Sequence, residues 1–317
     1  MLRSVLAGTG GYLPARCLTN DELAAAYGIE TSDAWITERT GIKQRHVAAE
    51  GELASDMAAA AAREALAQAG ADVSEVDAII VATATPDSVF PSTAARVQAK
   101  LSITRGFAFD VAAACAGFVY ALGVADGLVR SGQASGALVI GSEAFTRILD
   151  WTDRGTCVLF GDGAGAVFLR AETQPASGAT RGILSTHMHS DGRHGDILKV
   201  ADGTVRMAGR EVFRHAVEKL ASAVDEALAH NGLSQSDVQW LVPHQANRRI
   251  IDAMGRKLGL PPDRVVVTVD RHANTSAASI PLALAEATRD GRIQRGDLVL
   301  MEAIGGGLTW GASLARF

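Results

Sequence analysis

Short apolar runs alternate along the chain with longer segments in which apolar residues recur at helical spacing. An Ala-rich amphipathic segment at 55–69, for example, leads into the uninterrupted apolar run 78–82. Apolar runs of this length are typical of buried strands, and the longer periodic segments are typical of helices. The alternation predicts an α/β fold with mixed, mostly parallel sheets, because parallel neighbours need a long crossover between them.

The same order of elements occurs twice, offset by roughly 160 residues, which indicates a duplicated unit rather than a solenoid. In the first copy, helices are predicted at 55–69, 92–101 and 116–130, and strands at 78–82, 107–111, 137–141 and 161–169. In the second copy, helices are predicted at 212–229, 248–258 and 277–290, and strands at 240–242, 265–269, 298–301 and 307–315. We therefore predict two α/β halves, 1–175 and 176–317, joined within the polar segment 171–182.

Composition and charge narrow the class of protein further. Of the 317 residues, 48% are hydrophobic and 21% are charged, and the formal net charge is −5. This composition excludes a disordered chain, and the acidic balance argues against general nucleic-acid binding. The longest uncharged apolar stretch, 111–125, is shorter than the about 20 residues that span a membrane. Three cysteines without a Cys-x-x-Cys pair fit neither a disulfide framework nor a cysteine zinc site. We expect a cytoplasmic protein.

Three side chains with catalytic chemistry follow predicted strands of the two halves. Cys115 follows the strand 107–111, His244 follows 240–242, and Asn274 follows 265–269 in the position that corresponds to Cys115. Parallel α/β units place functional residues where strands end and helices begin. If the two halves pack around a pseudo-twofold axis, these three side chains converge on one site.

The residues around these side chains favour chemistry at a thiol. Cys115 stands among small residues at a predicted helix N-terminus, which favours the thiolate and leaves room for a substrate. The glycines at 305–307 allow close backbone approach and can point N–H groups into a cavity, as an oxyanion hole requires. Glu143 and Glu302 occupy related places in the two halves, and we expect both to form structural hydrogen bonds.

A basic helical face and a histidine-rich loop carry weaker signals. Arg249 and Arg256 are seven residues apart on one helix face, with Lys257 beside Arg256, and we expect Arg214 to add to this face. In an acidic protein, such a face can dock an acidic partner. The His and Asp side chains between 187 and 194 lack a further ligand and a supporting framework, so we predict no metal site.

Four motifs together resemble those of β-ketoacyl-acyl-carrier-protein synthase III, the initiating condensing enzyme of bacterial fatty-acid synthesis. They are DVAAACAG at 110–117, HQAN at 244–247, NTSAAS at 274–279 and GGGLTWG at 305–311. The resemblance covers essentially the whole chain, including WITERTG at 35–41 and TDRGT at 152–156. It implies a thiolase-like fold in which two duplicated α/β halves pack in αβαβα layers.

The resemblance also implies a two-step reaction. Cys115 would take an acyl group from acyl-CoA, and malonyl-acyl carrier protein would then lose carbon dioxide. His244 and Asn274 would donate hydrogen bonds to the resulting enolate, whose carbanion attacks the Cys115 thioester and yields a β-ketoacyl-acyl carrier protein. The backbone N–H groups of Cys115 and Gly306 would form the oxyanion hole. No metal or redox cofactor is implied, and coenzyme A thioester is a substrate.

The family pattern assigns further residues to binding. Those implied to contact coenzyme A are Trp35, Arg39, Arg154, Gly209 and Asn247. Those implied to contact the carrier protein are Arg214, Arg249, Arg256 and Lys257. Those implied to line the acyl pocket are Phe145, Phe160 and Leu198, with Phe90 inserted by the partner of a homodimer. The bulk of the pocket residues favours a short primer, and acetyl-CoA is the primer we expect.

Other functions share some of these features. A cysteine hydrolase also uses Cys, His and Asn in that chain order. The papain-type sequence around the cysteine is absent, however, and a cysteine hydrolase would not explain the two duplicated halves. A thiolase needs a second catalytic cysteine late in the chain, and none follows Cys157. A related acyltransferase or a condensing enzyme of secondary metabolism stays open as the alternative. A non-catalytic acyl-binding dimer would tolerate the loss of Cys115, His244 or Asn274, yet all three are present.

Overall fold

A computed structural model describes residues 2–174 and 180–317. In the first half of the chain the elements are β1 (Leu2–Tyr12), β2 (Arg16–Thr19), α1 (Asn20–Tyr27), α2 (Asp33–Thr40), β3 (Gln44–Val47), α3 (Ala54–Ala69), β4 (Ala78–Ala82), α4 (Thr93–Lys100), β5 (Phe107–Val111), α5 (Gly117–Arg130), β6 (Gly136–Glu143) and β7 (Gly163–Thr173). In the second half they are β8 (Gly182–Ser190), β9 (Leu198–Ala201), β10 (Thr204–Met207), α6 (Gly209–His230), β11 (Trp240–Pro243), α7 (Arg248–Lys257), α8 (Val269–His272), α9 (Ser279–Arg289), β12 (Leu298–Gly305) and β13 (Thr309–Arg316).

The strands form two large mixed sheets, with orders β1-β7-β6-β4-β5 and β11-β12-β13-β8. The α/β class and the mixed sheets agree with the prediction, but "mostly parallel" was too strong. Strand β4 pairs in parallel with β5 and β6, and β11 pairs in parallel with β12. The other pairs, β1–β7, β6–β7, β12–β13 and β13–β8, are antiparallel. Antiparallel pairing needs no helical crossover, and β12 and β13 are joined by only a tight turn.

The helices divide these sheets into five layers, αβαβα. Helix α5 contacts β4 and β6 of the first sheet and β8 and β13 of the second, and α9 contacts β1, β7 and β11. Helices α3 and α4 cover the outer face of the first sheet, and α6 covers that of the second with α7 packed beside it. Because the central helices are buried on both sides, they are apolar nearly all round, as α5 shows with Phe118, Val119 and Leu122 fully buried.

Close backbone approach between the layers depends on glycine at particular points. A Cβ atom on Gly141 of β6 would lie 2.1 Å from the carbonyl oxygen of Ala277, just before α9. A Cβ atom on Gly165 of β7 would lie 2.5 Å from the Leu282 amide nitrogen in α9. These glycines let the second half's central helix press against the first half's sheet, and this contact brings Asn274 towards Cys115.

Most predicted elements are present, but the predicted strand 265–269 is not. Val265 forms only an isolated parallel bridge with Leu241, and the chain then turns into α8. The reason is a side chain: Gln245 Oε1 accepts hydrogen bonds from the amides of Thr268, at 2.8 Å, and Val269, at 3.0 Å. These bonds take the place of a strand ladder. The predicted boundary between residues 175 and 176 lies outside the described residues, so the division into halves at that point stays a prediction.

Candidate active site

Cys115 lies at the point where β5 gives way to the central helix α5. The short turn 114–116 carries it, and Ala114 adopts a φ of 45°, in the left-handed region that non-glycine residues rarely occupy. The side chain is buried, and burial raises the pKa of the Cys115 thiol to about 12. The helix N-terminus was expected to favour the thiolate, and burial acts in the opposite direction. The resting nucleophile is therefore a neutral thiol.

His244 is buried immediately after β11. Its backbone N–H donates to the Glu302 carbonyl oxygen at 2.8 Å, which extends the parallel pairing of β11 and β12 by one residue. Burial lowers the pKa of the imidazole to about 3, so the ring is neutral at physiological pH. The His244 Nδ1 atom has no hydrogen-bond partner within the described residues. A neutral imidazole carries one N–H, which suits it to donate a hydrogen bond without adding charge.

Asn274 is held by hydrogen bonds on its backbone and on its side-chain oxygen. Its N–H donates to the Leu159 carbonyl at 2.9 Å, and its carbonyl accepts from the Gly161 N–H at 3.0 Å. The Asn274 Oδ1 atom accepts from the Ser276 amide at 2.9 Å. Because this bond fixes the oxygen, the Nδ2 amide group is directed away from it and can donate to a substrate.

Two cavities meet at the sulfur. The first, of ≈ 250 Å³, is lined by Cys115, His244 and Asn274 together. The predicted convergence of these three side chains is thus present in the structure. The second, of ≈ 210 Å³, is lined by Cys115 again and is mostly apolar. The arrangement gives the thiol two chambers. The first, here called the donor chamber, carries the hydrogen-bond donors His244 and Asn274 in a largely apolar wall, and the second, the apolar chamber, can hold a short hydrocarbon chain.

Three of the four residues predicted for the acyl pocket line the apolar chamber, namely Phe145, Phe160 and Leu198. The two phenylalanine rings stack with their centres 4.2 Å apart. Buried Asp162 anchors this wall, since its carboxylate accepts from the Thr146 hydroxyl at 2.6 Å and the Thr146 amide at 2.8 Å. Phe90 does not line the chamber in a single chain; its side chain is 84% exposed.

The glycine turn after β12 lies directly against the nucleophile. A Cβ atom on Gly305 would lie 2.5 Å from the amide nitrogen of Cys115, so no other residue fits there without displacing the backbone. Gly306 lines the apolar chamber together with Cys115. The predicted oxyanion-hole residues therefore face the same space beside the sulfur.

The residues predicted to bind coenzyme A lie along a path that leads out of the donor chamber. Gly209 and Asn247 line this chamber, and Asn247 Nδ2 donates to the Arg39 carbonyl at 3.1 Å. The guanidinium carbons of Arg39 and Arg154 lie 4.5 and 4.7 Å from the centre of the Trp35 ring. The path thus ends at two exposed cations beside a half-buried aromatic ring.

The predicted carrier-protein residues are all exposed and are carried by α6 and α7. Their side chains are those of Arg214, Arg249, Arg256 and Lys257. Lys257 forms an ion pair with Asp225 at 2.9 Å, so part of its charge is already neutralised. Within residues 2–174 and 180–317, no group of three or more His, Cys, Asp or Glu side chains is arranged to hold a metal ion. In the same residues, no helix combines the length and apolar character needed to cross a bilayer.

Sequence reasoning missed the hairpin of β9 and β10, which covers both cavities. Leu198 lines both chambers, Val205 lines the apolar chamber and Met207 lines the donor chamber. The sequence signal that could have predicted it is the Asp-Gly pair at 202–203, which is typical of two-residue hairpin turns. In the structure both residues have the positive φ that such a turn requires, 52° and 76°. The hairpin is four residues long on each side, which is too short to give a periodic pattern.

Comparison with known proteins places these features in a family. A family profile described as 3-oxoacyl-[acyl-carrier-protein (ACP)] synthase III matches residues 109–192, and the profile for its C-terminal part matches residues 228–317. A beta-ketoacyl-[acyl-carrier-protein] synthase III of Acidiphilium cryptum is 66% identical over 325 residues, covering 100% of both chains.

Solved structures agree with the sequence relatives. The 3-oxoacyl-[acyl-carrier-protein] synthase III of Aquifex aeolicus matches with a TM-score of 0.93 and 48% identity, over 99% of this chain and 100% of that one. The priming β-ketosynthase from the R1128 polyketide biosynthetic pathway matches with a TM-score of 0.92 and 35% identity, over 99% of this chain and 96% of that one.

Two sheets that enclose two central helices, with a buried Cys, His and Asn where they meet, define a condensing enzyme of the acyltransferase class with a thiolase-like fold. Within that class, the chain belongs to the β-ketoacyl-acyl-carrier-protein synthase III family, since its identity to family members extends along its full length. It is a condensing enzyme of fatty-acid biosynthesis. The family predicted from the four motifs is confirmed.

Proposed function

We propose that the protein condenses a short acyl-CoA, with acetyl-CoA as the expected primer, with malonyl-acyl carrier protein. The product is a β-ketoacyl-acyl carrier protein, and the reaction passes through an acyl-Cys115 intermediate. The observation that carries this proposal is the position of Cys115 between an apolar chamber and a chamber lined by His244 and Asn274. An acyl chain can rest in the first chamber while a second substrate reacts in the other.

In the first half-reaction, the Cys115 sulfur attacks the thioester carbonyl of acyl-CoA, and coenzyme A leaves as a thiolate that is then protonated. The carbonyl oxygen becomes an oxyanion beside Gly306 and the Cys115 backbone. Removing one such hydrogen-bond donor typically costs about 3 kcal/mol in transition-state energy. The need for glycine at 305, where a Cβ atom would meet the Cys115 amide, supports this use of the turn.

In the second half-reaction, malonyl-acyl carrier protein loses carbon dioxide, and its thioester oxygen carries the enolate charge. The neutral imidazole of His244 and the amide group of Asn274 donate to that oxygen. Burial supports this role, because hydrogen bonds in a water-excluded chamber stabilise developing charge better than in solvent. The carbanion then attacks the acyl-Cys115 carbonyl and expels the Cys115 sulfur as a thiolate, which takes up a proton to restore the thiol.

Charge distribution supports the binding sites of the two substrates. Coenzyme A would run from Asn247 past Arg39 to Trp35, where adenine binding requires the Arg154 guanidinium to move off the ring face. The carrier protein would dock on the exposed basic side chains of α6 and α7, since a local cationic surface on a chain of net charge −5 attracts an acidic partner.

A homodimer is the assembly that the exposed apolar surface favours. Strand β5 is the edge of its sheet, and its first residue, Phe107, is 37% exposed. Val89 and Phe90 are 96% and 84% exposed, which is unusual for large apolar side chains on a monomer. Pairing of two copies along β5 would cover this surface, and Phe90 would enter the partner's acyl pocket. The reaction requires no metal or redox cofactor, and the cytoplasm is the expected location.

A related acyltransferase, or a condensing enzyme of secondary metabolism, is the alternative function. The match to the polyketide priming β-ketosynthase supports it, because that protein shares the fold at 35% identity. The acceptor distinguishes the two functions, since only the primary proposal requires elongation of malonyl-acyl carrier protein by the primer.

Intact-mass spectrometry tests both proposals in one experiment. The protein is mixed with acetyl-CoA, and malonyl-acyl carrier protein is then added. We expect an acetyl adduct on the protein that is lost in Cys115→Ser and retained in Cys157→Ser, the matched variant at a buried thiol that lines neither chamber. We also expect acetoacetyl-carrier protein. An adduct without elongation would favour the alternative, and the absence of any adduct with acetyl-CoA or longer acyl-CoAs would overturn the proposal.

A further inference from the structure

A buried carboxylate lies behind the nucleophile, and the two half-reactions described above make no use of it. Glu143 is the last residue of β6 and is fully buried. Its carboxylate accepts hydrogen bonds from the Thr85 hydroxyl at 2.5 Å, from the Ala84 amide at 3.1 Å and from the Ala277 amide at 3.5 Å. These donors are neutral and hold the carboxylate in place without an ion pair.

Ser276 stands between this carboxylate and the sulfur. The turn 276–278 packs against the turn 114–116 that carries Cys115, and Ala277, the residue after Ser276, donates its backbone N–H to Glu143. The Ser276 side chain influences both the Cys115 thiol and the Glu143 carboxylate. The hydroxyl is buried and has no hydrogen-bond partner of good geometry among the residues that the structure describes. Ser276 also has a φ of 49°, and its amide is held by Asn274 Oδ1 at 2.9 Å. The surrounding structure thus fixes a strained residue with a free hydroxyl between two proton-bearing groups.

The charges of the two end groups are coupled. The negative charge of Glu143 contributes to the raised pKa of the Cys115 thiol, after the larger effect of burial. Burial raises the pKa of Glu143 itself to about 7. Two anions in one apolar enclosure are costly, so the enclosure favours a single shared negative charge. Moving a proton from the sulfur to the carboxylate keeps that total charge constant.

The other titratable group at the site is a poorer proton acceptor. The imidazole of His244 has its pKa lowered to about 3 by burial, so it holds a proton far less well than Glu143 does. The remaining groups that face Glu143 are the hydroxyls of Thr83 and Thr85 and the backbone amides before α4 and α9. None of them accepts a proton at neutral pH.

We propose that Glu143 accepts the Cys115 proton through the Ser276 hydroxyl as the sulfur attacks acyl-CoA. The S–H bond breaks and its proton passes to Ser276 Oγ, while the Ser276 proton passes to a Glu143 carboxylate oxygen. The S–C bond to the acyl carbon forms, and coenzyme A leaves as a thiolate that takes a proton from water. When condensation expels the Cys115 sulfur, the proton returns along the same route, so the cycle closes with thiol and carboxylate restored.

This inference rests on the proposed acyl-Cys115 step, and the test separates the two. Single-turnover acetylation by acetyl-CoA is followed by rapid quench and intact mass, without carrier protein, at pH values on both sides of neutrality. The variants are Glu143→Gln, Ser276→Ala and Ser276→Thr. Glu302→Gln is the matched control, because Glu302 is a buried carboxyl at the related place in the other half but lines neither chamber.

We expect the wild-type acetylation rate to rise with pH as Glu143 ionises near neutrality and then to level off. Glu143→Gln and Ser276→Ala should slow acetylation by at least about 100-fold, the lower range for general base catalysis, and Glu143→Gln should also lose the pH dependence. Ser276→Thr keeps the hydroxyl and should retain most of the rate. Glu302→Gln should follow the wild-type profile.

Several results would overturn the inference. One is Glu143→Gln with a wild-type rate and pH profile. Another is an equal rate loss in Glu302→Gln, which would indicate a general effect of removing a buried carboxyl. If Glu143→Gln does not fold, the comparison of Ser276→Ala with Ser276→Thr decides, and equal rates in these two variants would exclude the hydroxyl route. Failure of the wild-type protein to form any acyl-enzyme would instead refute the proposed function.

Discussion

Glu302 gives a stability prediction whose sign and size follow from its surroundings. The carboxyl is buried on the face of β12 that also carries Leu300 and Ile304, in the apolar layer beneath α6. Its Oε2 atom has no hydrogen-bond partner among the described residues, so the expected structural hydrogen bonding is not found at this atom. Burial alone raises the pKa of Glu302 from 4.5 to about 8.

Between those two pH values the native protein binds a proton that the unfolded chain releases. Stability therefore falls as pH rises through this window, at about 1.4 kcal/mol per pH unit. The full loss is about 5 kcal/mol, and it is an upper limit because the native site relaxes around the charge. Glu302→Gln keeps the shape and removes the ionisation, so it should abolish this loss.

Urea unfolding of the wild type and of Glu302→Gln at a series of pH values measures the difference directly. Below pH 4.5 we expect the free energies of unfolding of the two proteins to differ by a constant offset. Between pH 4.5 and about pH 8 we expect the stability of the variant relative to the wild type to increase steadily. The matched control is Glu218→Gln, an exposed carboxyl on α6, which should show no such gain. Parallel pH profiles for the wild type and Glu302→Gln would refute the reasoning.

Three further predictions concern the pocket, the docking surface and acid stability. Phe145→Ala should enlarge the apolar chamber and raise the kcat/KM ratio of butyryl-CoA to acetyl-CoA by about 15-fold, from about 0.8 kcal/mol for each of two methylenes; an unchanged ratio in a competition assay would contradict this. Arg256→Ala should raise KM for malonyl-acyl carrier protein roughly fivefold at low salt, less at high salt, and leave acetyl-CoA acylation unaltered. Burial is the main reason why the pKa of His272 is lowered from 6.5 to about 3. Between these two pH values the unfolded chain binds a proton that the native protein does not, so stability falls as the pH drops through this window. His272→Asn should lessen this acid loss by about 1.4 kcal/mol per pH unit in urea unfolding, and an equally steep loss in the variant would be the contrary result.

The sequence was sufficient to predict the placement of Cys115, His244 and Asn274. Each follows a strand or strand-like segment, and the ends of such segments meet at one edge when two α/β units pack together. Local pattern was equally sufficient for strands such as β4 and β5, whose predicted bounds the structure reproduces. These features depend on residues that are close in sequence, so the sequence of one chain is sufficient to predict them.

Features that depend on distant residues were not predictable in the same way. The segment 265–269 has the composition of a strand, but the Gln245 side chain, about 20 positions earlier, takes up its backbone donors. The thiol of Cys115 has a helix N-terminus beside it, yet the depth of its burial, which raises its pKa, becomes apparent only in the packed structure. A sequence shows which groups are present near a site, whereas the balance between burial and favourable partners requires the packed structure.

The burial of neutral groups at the site also fits the order in which negative charge develops on the substrate during the proposed reaction. The chamber presents to its substrate a thiol and a neutral imidazole, with pKa values moved to about 12 and about 3 respectively by burial, together with the Asn274 amide. A fixed cation in the same place would also bind the malonyl carboxylate and would stabilise the ground state as much as the enolate. Neutral donors aimed at the thioester oxygen stabilise mainly the charge that forms after carbon dioxide leaves. Neutral donors in the buried donor chamber thus favour decarboxylation over simple retention of the malonyl group, and this follows from the depth of burial rather than from any single residue.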